Sequence, residues 1–128
     1  YNIVSGRKPW QEYMEILRNS KICISPFGMG EIRQGDGESM QVGTIILKED
    51  MSKYNFGANT WIENKTYVPF KYDCTNLVEQ IEMILSDYDK FENIITNMRE
   101  KYLKEYDPHK LCLHWYNIFK NIEGVKQI

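Results

Sequence analysis

Apolar residues along this chain switch repeatedly between a helical period and short unbroken runs. Trp10, Tyr13, Met14 and Leu17 fall at i, i+3, i+4 and i+7, which predicts a helix with one covered stripe, opened by Pro9 in its first turn. Ile22-Cys23-Ile24 reads as a short strand ended by Ser25-Pro26. Residues 26–37 then carry Gly28, Gly30, Gly35 and Gly37, a density that signals close backbone approach. A helical pattern returns at Glu38-Ser39-Met40-Gln41, from a start near Gly35-Asp36, with Gly43 as its C-terminal cap. Thr44 to Leu47 is β-branched and apolar, as in a central parallel strand covered on both faces.

The second half is mostly helical. Residues 49–65 are polar and irregular, with Asn55, Gly57, Asn59 and Asn64 as turn formers. Thr66 to Phe70 reads as a short strand whose Pro69 places it at an edge or an end. Thr75 is positioned to cap a helix that buries Leu77, Ile81, Ile84 and Leu85. A second helix follows Ser86-Asp87, with Tyr88, Phe91, Ile94, Ile95, Met98 and Tyr102 on its apolar face. Asp107-Pro108 opens a third, running through Leu111, Trp115, Ile118 and Ile122 to Gly124. The amino-terminal YNIVSGR is an edge strand or a linker. Strands alternating with helices predict an α/β domain with a small parallel sheet and a C-terminal helical tail.

Length and composition narrow the class. The 128 residues suit a single domain, and 42% apolar with 27% charged is ordinary soluble composition. A net charge of −2 provides no basic stripe for nucleic acid. No run approaches the length of a membrane span, and no signal peptide is visible at the amino terminus. Cys23, Cys74 and Cys112 are far apart and form no CxxC pair, so reduced, buried thiols in a reducing compartment are expected, with no zinc site. His109 and His114 have no triad-like partners and read as structural. Asn64-Lys65-Thr66 fits a glycosylation pattern that nothing else supports.

The candidate chemistry therefore lies between Lys21 and Asp50. Gly28 and Gly30 would let backbone N–H groups approach an anion, beside the positive end of the following helix, and Arg33 could add a charge-assisted contact. No standard phosphate fingerprint is present, so a plain surface loop is the competing reading. Glu38 could accept hydrogen bonds from a ribose diol, or simply complement the helix dipole. Glu31 is a ligand-hydroxyl partner or a cap. Asp50, after the strand 44–47, faces the same crevice or forms a turn.

The run Ser25-Pro-Phe-Gly-Met-Gly-Glu31, then Glu38-Ser-Met-Gln-Val-Gly43-Thr-Ile-Ile, then Lys48-Glu-Asp-Met-Ser52, resembles the donor-binding half of GT-B glycosyltransferases of the group-1 and exostosin-like types. The resemblance spans residues 7–106 and is most specific over 25–52. It implies a Rossmann-like, three-layer domain covering residues 1–128, as one part of a two-domain protein whose N-terminal half would bring the acceptor. It assigns Glu38 to the ribose hydroxyls of a nucleotide-sugar, and Gly28, Gly30, Glu31 and Arg33 to the diphosphate and donor sugar. The family's retaining pattern spaces its two glutamates one residue further apart than Glu31 and Glu38.

The implied activity is sugar transfer from a nucleoside diphosphate, with the donor as substrate, no cofactor and no obligatory metal. Helix-end N–H groups and Arg33 would stabilise the leaving diphosphate, and this chain alone would turn over little or nothing. A cytoplasmic or membrane-peripheral location fits. The rival is a non-catalytic Rossmann-like nucleotide-binding or interaction module. A receiver-like domain fits poorly, because Asp50 has no acidic partner in the preceding strand.

Overall fold

A computed structural model describes residues 2–54 and 60–122, so the expected turn formers Asn55, Gly57 and Asn59 and the helix end at Gly124 lie outside the described residues. The order is α1 (Trp10–Asn19), β1 (Ile22–Ile24), α2 (Gln34–Val42), β2 (Ile45–Glu49), β3 (Val68–Phe70), α3 (Leu77–Ser86), a 3-10 turn (Tyr88–Phe91), α4 (Glu92–Glu105) and α5 (Pro108–Lys120). The chain is thus mixed α/β with a small parallel sheet, as its alternating pattern predicts. Asn2 to Arg7 form no strand.

The sheet has the order β1-β2-β3, all parallel, with Ile22 opposite Ile45, Leu47 opposite Val68 and Glu49 opposite Phe70. All of β2 is buried, so its alternating side chains feed two cores. Ile45 and Leu47 join Val68, Phe70, Ile84 and Ile94 on one face, with Leu77 and Ile81 of α3 packed against them. Ile46 joins Met40 of α2, Tyr67, Met51 and Met98 of α4 on the other. Helices therefore cover both faces.

The outer edge of β3 is closed by three local devices. Tyr67 O accepts from Asn64 N at 3.0 Å, Lys71 N donates to Asn76 Oδ1 at 2.8 Å, and Pro69 between them has no N–H. No further strand can pair there without displacing them.

Local termini account for several boundaries. Gly43 ends α2 at φ 82°, and its N–H donates to Ser39 O at 2.9 Å. Asp107 caps α5 by accepting from Lys110 N at 3.1 Å. Two helix starts differ from expectation. Pro9 precedes α1 as its N-cap, one position earlier than expected. Asn76, rather than Thr75, occupies the N-cap of α3, because the Thr75 hydroxyl and amide are both taken by Asp73 Oδ1.

Burial is also less even than the apolar pattern suggests. Of the α1 stripe Leu17 is buried, Tyr13 and Met14 are half-buried, and Trp10 is exposed. No described residue of α5 is buried, and its Trp115, Ile118 and Phe119 face solvent. All three cysteines are free thiols, but only Cys23 is sheltered. Cys74 and Cys112 are exposed, against the expectation of buried thiols, because one lies in the turn after β3 and the other on α5.

Candidate functional site

Residues 26–33 connect β1 to α2 and stand out from the carboxyl end of the parallel sheet, where open α/β sheets receive ligands. Buried polar groups hold both ends of the loop. On the β1 side, the Ser25 hydroxyl donates to Asp36 Oδ1 at 2.5 Å, and Ser25 O accepts from Lys48 Nζ at 3.1 Å. Asp36 Oδ2 accepts from Arg33 N at 2.8 Å and pairs with Lys48 Nζ at 3.1 Å. Asp36 and Lys48 are almost completely buried, at 1% and 0% exposure. A third tie comes from Glu49, whose buried carboxylate accepts from Phe27 N with both oxygens, at 3.0 and 2.9 Å.

A buried ion pair seldom adds net stability over well-packed apolar side chains, so what the Asp36–Lys48 pair secures beside this exposed loop is geometry. Aromatic rings close over the cation. Lys48 Nζ lies 5.3 Å from the Phe27 ring centre and 5.7 Å from that of Trp61.

Between these anchors the backbone is open. Gly28 N donates to Gly30 O at 3.1 Å, but among the described residues nothing accepts from the amides of Met29, Gly30, Glu31 or Ile32. Nor does the fold itself require glycine here. Gly28 and Gly30 have ordinary negative φ. A Cβ at Gly28 would come no closer than 3.9 Å to Arg33, and one at Gly30 would meet nothing within 4 Å. Arg33 lies exposed along the loop, its Nη1 donating to Pro26 O at 3.3 Å.

The α2 N-terminus differs from a bare anion site. Asp36 already sits there as the reciprocal half of a capping arrangement, and Lys48 balances its charge. The helix end is thus occupied by the protein's own carboxylate, and the adjacent unpartnered amides and Arg33 are what remain for an external anion.

Glu38 is one turn inside α2 and 7% exposed. Gln34 Nε2 donates to its Oε1 at 2.6 Å, and the Tyr13 hydroxyl of α1 bonds the same carboxylate. Burial, reinforced by that carboxylate, pushes the Tyr13 phenol well above the usual tyrosine range. Burial likewise pushes the Cys23 thiol up. Glu31 is half-buried at the loop's far end.

Asp50 stands apart from these groups. Its Oδ1 accepts from Ser52 N at 2.8 Å, and hydrogen bonds from Ser52 hold its carboxyl below the usual range. It lines a cleft of about 720 Å³ with Glu63, Asn64, Lys71, Gln80 and Asn97, and no loop residue borders that cleft. The structure thus groups Gly28, Gly30, Glu31, Arg33 and Glu38 around one loop and helix start, with Asp50 facing elsewhere.

Sequence reasoning missed Ser25, Asp36, Lys48 and Glu49 as the anchoring set. A signal was available: Lys48 and Glu49 directly continue an apolar run with the pattern of a fully covered strand, so they had to be buried and paired. Among the described residues no group of three or more His, Cys, Asp or Glu could hold a metal ion. No described helix is long and apolar enough to cross a membrane. Compared with models of known protein families, with curated proteins and with solved structures, the chain matches none.

Proposed function

We propose that this chain is a Rossmann-like nucleotide-sugar-binding domain that presents the donor in a GT-B glycosyltransferase. The observation that carries the reading is the run of amides from Met29 to Ile32, without partners among the described residues, on a loop pinned at both ends by buried charges. Such a run, beside Arg33, is a ready cradle for a diphosphate. Charge builds on the diphosphate as the glycosidic bond breaks, and prepositioned N–H groups would stabilise it most at that point. Glu38, held by Gln34 and Tyr13, would orient the ribose by accepting from its hydroxyls. It would position the substrate and transfer no proton. The acceptor would come from a second domain, as in the two-domain arrangement the motifs resemble.

Calorimetric titration of the chain with a panel of nucleoside diphosphates and their sugars tests this. Weak binding that weakens by about tenfold or more in Glu38→Ala is expected, since a hydrogen bond involving a charged group contributes about 1.5–3 kcal/mol. Absence of binding at millimolar ligand, or equal binding by the variant, would sink the proposal.

One observation favours the alternative of a non-catalytic interaction module. The Glu38 carboxylate is buried and already engaged by two neutral partners. The loop nonetheless remains open, with Met29 fully exposed at its tip, where a module that had lost its ligand would be expected to fold the loop onto the sheet.

A further inference from the structure

The cleft that Asp50 borders is formed by α3, α4 and the outer edge of β3, and none of residues 26–38 lines it. Its volume of about 720 Å³ lies within the range of ligand-sized cavities, about 300–1,000 Å³. Phe70 and Ile94, both core residues, line it together with a series of carboxamides. Asn76 and Gln80 stand one turn apart at the start of α3, and Asn93 and Asn97 stand one turn apart on α4. The side chains of Gln80, Asn93 and Asn97 make no hydrogen bond to any described residue. Asn76 Oδ1 accepts from Lys71 N at 2.8 Å, which leaves its two amide hydrogens uncommitted. The charges around the cleft balance, Lys71 and Lys90 against Asp50 and Glu63.

We infer that this cleft binds an extended polypeptide segment by its main chain. Balanced charges favour neither a phosphate nor a cation, so the ligand is recognised through neutral donors and acceptors. A carboxamide carries both, and can pair at once with the N–H and the C=O of one peptide residue. The spacing also fits. Residues four apart on a helix rise by about 6 Å, and alternate residues of an extended chain recur every ~6.6–6.8 Å. Asn93 and Asn97 thus meet alternate residues of one segment, while Asn76 and Gln80 reach it from α3. A small cyclic ligand has no linear repeat of that length to offer. Extended segments are more often captured by adding a strand to a sheet, but the Asn64 amide, the Asn76 carboxamide and Pro69 already close the edge of β3. Side-chain amides on the two helices take over what an open sheet edge does elsewhere.

A synthetic array of heptapeptides, capped at both ends and varied in sequence, tests this when probed with the whole chain. Members that bind are then titrated by fluorescence anisotropy. Binding by some of these peptides is expected, weakened about tenfold or more in the double variant Asn93→Ala, Asn97→Ala, which removes two paired amides. Both positions are exposed on a helix, where alanine is well tolerated, and far-ultraviolet circular dichroism checks the fold. A second measurement needs only the wild-type chain. One N-methyl group, moved along a bound peptide, should weaken binding about tenfold at alternate residues and leave it nearly unchanged at those between, the period of two that an extended main chain imposes. Absence of binding by every heptapeptide at millimolar concentration overturns the inference, as does equal binding by the double variant. So does a methylation scan without that alternation, which would mean recognition by side chains. An uncharged oligosaccharide that binds where no peptide does, and is lost in the double variant, would overturn it too and assign the cleft to a carbohydrate. The result is independent of the donor reading, because Glu38 and the loop 26–33 lie outside this cleft.

Discussion

Lys48 places its ammonium 3.1 Å from the Asp36 carboxylate, and both side chains are sealed from solvent. This pair joins the middle strand of the sheet to the start of α2, and through Ser25 it also reaches the end of β1. Three elements meeting at the carboxyl edge of the sheet are therefore registered by one buried charge pair. The exposed loop 26–33 inherits its geometry from that junction.

Removing one partner of the pair leaves the other charge buried and uncompensated. Lys48→Met and Asp36→Leu should each destabilise the fold by about 3–5 kcal/mol. The double variant should be less damaged than the two single losses added together. Urea denaturation of all four proteins checks this, and strict additivity would mean the two groups are not coupled.

Glu49 holds the loop from the other side by accepting twice from Phe27 N. Glu49→Gln keeps one acceptor oxygen but removes the charge, at a cost of about 1–3 kcal/mol. Cleavage near Met29 under limited proteolysis should accelerate with it. An unchanged cleavage rate would show that the loop is held without this carboxylate.

At Gly43 the backbone is left-handed, and an added Cβ would approach Ile95 Cγ2 of α4 to 3.2 Å. Gly43→Ala should cost about 1–3 kcal/mol from the backbone conformation, with further loss where α4 must shift. A thermal midpoint equal to wild type would contradict the assignment of this residue as the cap that lets α4 pack close.

The alkaline side of the stability profile follows from groups that burial holds protonated. Cys23, Tyr13, Tyr67 and Tyr88 all titrate above their ordinary values in the folded chain, each primarily because of burial. The unfolded chain loses these protons first, so the folded state is favoured below the unfolded values and loses that advantage as pH rises through the folded ones. Stability should therefore start to fall above about pH 8.5, the free-thiol value, and more steeply above about pH 10, where free tyrosine ionises. Urea midpoints measured across that range test it, with Cys23→Ala expected to remove the earlier part of the decline. At mildly alkaline pH, Cys74 and Cys112 should also react with a thiol reagent well before Cys23, because they are exposed.

Much of the layout was legible from local pattern. Ile22–Ile24 reads as a strand because an unbroken apolar triplet is stopped by Ser25-Pro26, and the structure places β1 there. Gly43 and Asp107 mark helix ends because their chemistry suits a left-handed C-cap and a side-chain N-cap respectively, and both occupy those positions. Thr75 was misleading for an equally local reason: Asp73, two residues earlier, competes for its hydroxyl. Burial of the helices was harder to read. Apolar spacing says which face a helix can cover, but α5 shows the stripe with no described residue buried, because coverage depends on a neighbour the spacing does not specify.

The sequence by itself determined the alternation of strands and helices, the parallel sheet and the exposed glycine-rich connection after β1, since each follows from side-chain period, turn chemistry and chain connectivity. Tertiary structure alone decided that Asp36 meets Lys48, that Glu49 takes the Phe27 amide, and that Asp50 faces a different cleft from Glu38. These partners lie far apart along the chain. They come together because parallel strands bring successive carboxyl ends to one edge, where buried charges must find one another.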